Sequence, residues 1–175
     1  MRTISIFAAA VVAAALASGS ALAQSRADQT FIKDAIEGNL AEVQMGQLAQ
    51  KNGASQDVKD FGQMLVTDHG QGNVKANQVA NSLKVTPPTE PNAKQKSEYD
   101  KMSKLNGAAF DKAFAQHMIA DHKKDIAAFQ KETKSKNTTV AGFASDTLPT
   151  LQKHLKSAQA LQKSAKAALR SQPRK

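Results

Sequence analysis

Apolar residues along this chain recur at intervals of three and four, and no stretch alternates with the period of two that marks a strand. After a short polar lead, Gln24 to Ala27, a first helix is predicted from about Asp28 to Asn52, with Ile32, Ala35, Ile36, Asn39, Val43 and Gly46 on one stripe. Asn52-Gly53 ends it, and Ser55 or Asp57 caps a second helix reaching about Leu83, with Val58, Phe61, Leu65, Gly72, Val79 and Leu83 inward. A linker, Lys84 to Pro91, follows, because Pro87-Pro88 cannot continue a helix. A shorter helix, about Asn92 to Leu105, stops at Asn106-Gly107. The third long helix, about Ala108 to Lys134, turns Phe110, Phe114, Met118, Asp121, Asp125 and Phe129 inward. The fourth runs from about Val140 to Leu169 on Val140, Phe143, Ala144, Thr147, Leu151, Leu155 and Ala158, and Pro149 should kink or break it.

This pattern predicts an all-α fold. Four long helices with short connections at the sides and a long one in the middle describe an antiparallel four-helix bundle. Lys84 to Gly107 would be a proline-containing crossover of the ferritin-like kind, carrying the extra short helix between the second and third long ones.

The second and third long helices also share a word. FGQMLVTDH, Phe61 to His69, returns as FAQHMIADH, Phe114 to His122, with Phe, Gln, Asp and His at matching positions. Two related helices facing a common interior are the simplest reading.

Composition adds a compartment. The opening MRTISIFAAAVVAAALASGSALA has one arginine, an apolar run from Ile6 to Ala17 and a small-x-small site at Ala21 to Ala23, the order of a secretory signal peptide. Cleavage after Ala23 is expected. It would leave 152 of the 175 residues, one domain spanning 28–169, with 170–175 as a disordered basic tail. A periplasmic or secreted protein is the expectation, with no membrane span in the mature chain. The absence of cysteine rules out disulfides, so the core alone must hold the fold. The chain carries a formal charge of +9, and the leader removes one arginine and no acid. A basic surface of this kind is attracted to anionic envelope components, though a solvated helix face reads the same way. Specific nucleic-acid binding is not expected, because the basic residues are not interleaved with aromatic ones for stacking.

The candidate chemistry lies inside the bundle. Asp68 and His69 flank the stripe of the second helix, Asp121 and His122 that of the third, His154 lies on a shoulder of the fourth, and Glu42 edges that of the first. Each long helix therefore offers a carboxylate or imidazole near its inward side, the arrangement bundles use for metal sites. Imidazole with carboxylate suits Zn, Fe, Cu or Ni. His117 and Asp121, four apart, share a face as well. A metal-free polar network that fixes helix register reads from the same residues, as does hydrolytic or proton-transfer chemistry. The Glu-x-x-His pair of di-iron bundles is absent, as are a nucleophile elbow and a phosphate loop, so nothing marks an enzyme.

The strings EVQMGQLAQKNGASQDVKDFGQMLVTDH (Glu42 to His69), GAAFDKAFAQHMIADH (Gly107 to His122) and FASDTLPTLQKHLKSAQAL (Phe143 to Leu161) resemble an exported bacterial family, domain of unknown function 4142. The resemblance runs from about Asp28 to Leu161. It implies a ferritin-like bundle in the cell envelope without an assigned activity, and with the compartment it points to envelope maintenance or stress tolerance. By similarity the positions to carry over are Glu42, Asp68, His69, Asp121, His122 and His154. His117 stands where the family leads one to expect an apolar or Tyr-like residue. The likeness to ferritins imports no ferroxidase chemistry.

Overall fold

The computed structural model describes residues 8–171, with side chains from 25 to 165. Five helices follow in order: α1 Ala8–Asn52, α2 Gln56–Ser82, α3 Ala93–Ser103, α4 Gly107–Glu132 and α5 Thr138–Ser171. Among the described residues there is no strand, and no helix is long and apolar enough to cross a membrane. The fold is an all-α helical bundle in which α1 pairs with α2 and α4 with α5, and α3 lies in the connection between the two hairpins.

Of the two caps predicted for the second helix, Ser55 and Asp57, the structure uses Ser55, and the other turns follow the same local chemistry. Ser55 caps α2, its hydroxyl accepting the Val58 N–H. Asn92 and Gln95 close a capping box around the start of α3. The side chain of Asn137 caps α5 by accepting the N–H groups of Thr139 and Val140. α2 ends in a Schellman turn: Lys84 takes the left-handed conformation, φ 56°, while Val85 N–H reaches the Ala80 carbonyl and Lys84 N–H that of Asn81. The two hairpins lock at one end. Asp111 of α4 accepts the N–H groups of Ala54 and Ser55, both at 2.9 Å, and Asn52 donates to the Leu105 carbonyl at 2.7 Å.

α1 and α2 cross in backbone contact. A Cβ added to Gly46 would stand 2.5 Å from the Gly62 carbonyl oxygen, and one on Gly62 would stand 2.6 Å from that of Gly46. Only glycine permits this approach, and it draws α1 and α2 together beside the polar interior.

Several expectations need correction. α1 takes in the residues 24–27 read as a lead, so the first helix starts well before Asp28. The start of the signal peptide, residues 1–7, and the end of the tail, residues 172–175, lie outside the described residues, as do the side chains of 8–24 and 166–171. α5 runs without a break through Pro149, although its ring removes one N–H; hydroxyls of Ser145 and Thr147 bond back to the carbonyls of Ala141 and Phe143 in the preceding turns. Asp121 and Asp125 are only half-buried, and His122 takes the inward place on α4. On α5 the inward residue is likewise His154, while Leu155 is half-buried.

The core falls into two apolar clusters. One gathers Phe31, Ile32, Ile36, Val79, Phe129 and Phe143; the other gathers Phe61, Leu65, Phe110, Phe114, Met118 and Ala158. On every long helix the boundary between them is a polar side chain. On α1 it is Asn39 and Glu42, between Ile36 and Met45; on α2 it is His69, between Leu65 and Ala76. On α4 it is His122, between Met118 and Phe129, and on α5 it is His154, between Leu151 and Ala158. A polar layer therefore crosses the middle of the bundle.

Candidate metal centre

A helix places residues on one face every three or four positions. His69 is one turn beyond Leu65, and His122 one turn beyond Met118, so each continues the buried stripe of its helix inward. His154 does the same a turn after Leu151. Their exposures of 6%, 1% and 0% show three imidazoles withdrawn from water. The rings form a triangle, with centroids 5.7 Å apart for His69–His122, 5.3 Å for His122–His154 and 5.1 Å for His69–His154.

Each ring has one nitrogen tied to a partner outside the triangle. His69 Nδ1–H donates to the Asn39 side-chain oxygen at 2.9 Å, and His122 Nδ1–H to the Met118 carbonyl at 3.0 Å. His154 Nε2–H donates to Asp68 Oδ2 at 2.8 Å. A neutral imidazole carries a single N–H, so these bonds fix the tautomers and leave His69 Nε2, His122 Nε2 and His154 Nδ1 with lone pairs. His122 Nε2 and His154 Nδ1 face each other at 3.3 Å. His69 Nε2 is buried and has no hydrogen-bond partner.

Two lone pairs at 3.3 Å in a dry interior repel unless a cation lies between or beside them. That cation is a proton or a metal ion. Burial works against the proton. It lowers His122 to about 4, with the charge of His154 as the next cause, and it pushes His69 well below its usual value, helped by His122 and His154. His154 is lowered too, burial outweighing the attraction of Asp68. A metal ion fits the same nitrogens. One ring nitrogen from each histidine lies within 4.8 Å of the other two, and tetrahedral bonds of about 2.0–2.1 Å place neighbouring donors roughly 3.3–3.4 Å apart. The outer hydrogen bonds are those that commonly orient metal-binding histidines, a carboxylate on one and a carbonyl on another. The cluster could therefore hold a metal ion.

The six residues singled out in the sequence divide into three sets. His69, His122 and His154 form the triangle, and Asp68 stands behind it, its side chain 26% exposed and Lys153 Nζ 3.7 Å from the oxygen that holds His154. Glu42 and Asp121 lie apart from it. Glu42 is 3% exposed, and burial first, then the charges of Asp121 and Asp125, raise its carboxyl well above the usual range. Asp125 is raised to about 7, mostly by burial and then by Asp121. His117 is half-buried and lines a cleft with Glu42 and Asp121, outside the triangle.

Sequence reasoning gave no role to Asn39, which holds His69, or to Asp111, which lies away from the triangle and clamps the α1–α2 turn. Asn39 falls on the inward stripe of the first helix, and an amide in an apolar stripe needs a polar partner, which is the signal the sequence offers. Asp111 follows Phe110 directly and carried no visible role, since its partners are amides more than fifty residues away.

A family model described as Domain of unknown function (DUF4142) matches residues 13–161. No curated protein and no solved structure matches the chain.

Proposed function

The chain belongs to that family, whose description assigns no activity, and from the geometry of its interior we propose that it is a metal-binding bundle holding one divalent transition ion on His69, His122 and His154. The observation that carries this reading is the set of three buried imidazoles whose outer nitrogens are all tied to partners, while His69 Nε2 has none and His122 Nε2 and His154 Nδ1 meet only each other. Nitrogen-only donors select Zn, Cu, Ni or Fe over Mg and Ca. A bound ion would replace the protonation that burial resists and would tie α2, α4 and α5 together at mid-bundle. Asn39 and Asp68 would orient the rings, and the surrounding apolar clusters would exclude water.

The proposal includes export. The arginine-led apolar leader and the Ala21-Leu22-Ala23 site support cleavage before Gln24 and a periplasmic or secreted mature chain, where sequestering an ion would serve envelope stress tolerance. Intact mass of the protein recovered from periplasm should correspond to a chain beginning at Gln24.

Elemental analysis of untagged protein from that fraction, with His69→Ala/His122→Ala as control, tests the metal reading. A near-stoichiometric transition metal lost in the control is expected. A protein free of metal, and unmoved in thermal stability by added Zn, Cu, Ni or Fe, would leave the triangle as a proton-bridged network. The 3.3 Å His122–His154 contact also favours that second reading, with a shared proton and Asp68 as counter-charge. It predicts no metal and a stability that rises on protonation of His154.

A further inference from the structure

A cleft that uses none of the triangle's donors lies among the helices that carry Glu42 and Asp121. It encloses about 310 Å³ among α1, α3 and α4 and is lined by Glu42, Met45, Glu98, His117, Asp121 and Lys124 among others. We propose that this cleft is a separate cation site, in which Glu42, Asp121 and His117 take a hard divalent ion such as Mn²⁺.

Glu42 is almost wholly buried, and its Oε2 has no hydrogen-bond partner. Burial and the charges of Asp121 and Asp125 favour the neutral carboxyl while no ion is bound; a cation would displace that proton and give the orphaned oxygen a partner. Asp121 and His117 are four residues apart on α4, so both present donors to the same side of the helix, toward the cleft that Glu42 lines from α1. Glu98 on α3, half-buried, adds a third carboxylate at the rim. Carboxylate and water ligands with one imidazole suit Mn²⁺, and an open cleft lets the ion keep several waters. The triangle offers only nitrogen, so the two sites would select different ions.

Lys94 and Lys124 also line the cleft and oppose a cation. Both are exposed and flexible, so solvent screens them, but they set the site below the affinity of a caged one. Among the described residues, His69, His122 and His154 are the group of three whose donor atoms lie within 4.8 Å of one another. Binding in the cleft would therefore draw the half-buried His117 ring inward to meet the carboxylates.

Titration with MnCl₂, following the loss of the free-ion signal by electron paramagnetic resonance, tests this on the full mature chain. Wild type and His69→Ala should each bind a single equivalent with the same affinity, since the triangle takes no part. Glu42→Gln and His117→Ala should each weaken binding by about tenfold or more, the range for lost donors and their orienting groups. Lys124→Ala should tighten it. His117 lies at the rim, so His117→Ala keeps the fold, which circular dichroism would confirm, and guards against a misfolded Glu42→Gln. Absence of Mn²⁺ binding by wild type, or binding that survives both substitutions, would overturn the proposal. Either result would leave the imidazole centre standing, and loss of binding in His69→Ala alone would move the Mn²⁺ to the triangle.

Discussion

Asp68→Asn offers the most direct measure of how the triangle is held. The substitution keeps the shape of the side chain, and an amide oxygen can still accept from His154 Nε2–H, so the ring should stay in place. What disappears is the negative charge 2.8 Å from that nitrogen, which makes the other nitrogen a better donor. Carboxylates in this position typically contribute 10–100-fold in metal affinity, or about 1.4–2.8 kcal/mol. Asp68 is partly exposed and Lys153 shares its oxygen, so solvent and a counter-charge dilute the effect. The expected loss is therefore at the lower end, about 10–30-fold, or roughly 1.4–2 kcal/mol. Competition for Zn²⁺ against a chromophoric chelator reads this directly. Calorimetry at fixed excess Zn²⁺ gives a second reading: the metal-induced rise in Tm should shrink by about 3–8 °C for a domain of this size. An unchanged chelator midpoint would refute the assignment of His154 as a ligand held by Asp68. A fall in stability that is equally large in chelator-treated protein would mean the carboxylate serves only the fold.

Four further outcomes follow from the same geometry. In chelator-treated protein, His122, at about 4 in the fold against an ordinary 6.5, is neutral where the unfolded chain is protonated. Stability should thus fall as pH drops from about 6.5 to about 4, with about 3 kcal/mol from this residue, and urea unfolding of His122→Gln should show a shallower acid limb. Asp125 has the opposite sign: raised to about 7, its contribution is present at acid pH and lost as pH rises toward 7, so Asp125→Asn should gain stability at pH 8 relative to pH 5 in the same assay. Gly46→Ala forces a Cβ to 2.5 Å from the Gly62 carbonyl and should cost about 1–3 kcal/mol in denaturant unfolding, with Gly38→Ala, where nothing lies within 4 Å, as the tolerated control. Asp111→Ala leaves the Ala54 and Ser55 amides without their acceptor and should cost about 1–3 kcal/mol, read as a lowered urea midpoint.

Much of this molecule follows from spacing along the chain. Three- and four-residue periodicity determines which segments are helical, and Ser55, Asn92 and Asn137 place their starts because each is a side chain that can accept an N–H locally. The repeated Asp-His words also mark the second and third long helices as the ones carrying chemistry. What periodicity leaves open is rotation about the helix axis. Adjacent residues differ by about 100°, so the sequence puts Asp and His on two shoulders of a stripe without choosing between them. Packing made that choice, turning His69 and His122 into the core and leaving Asp68 and Asp121 at its edge, where a charge keeps some water. The separation of Glu42 and Asp121 from the imidazoles, the hold of Asn39 on His69 and the clamp of Asp111 on a distant turn likewise belong to tertiary structure. The last two depend on residues at least thirty positions apart meeting at hydrogen-bond distance, and helical periodicity carries information about only a few turns at a time.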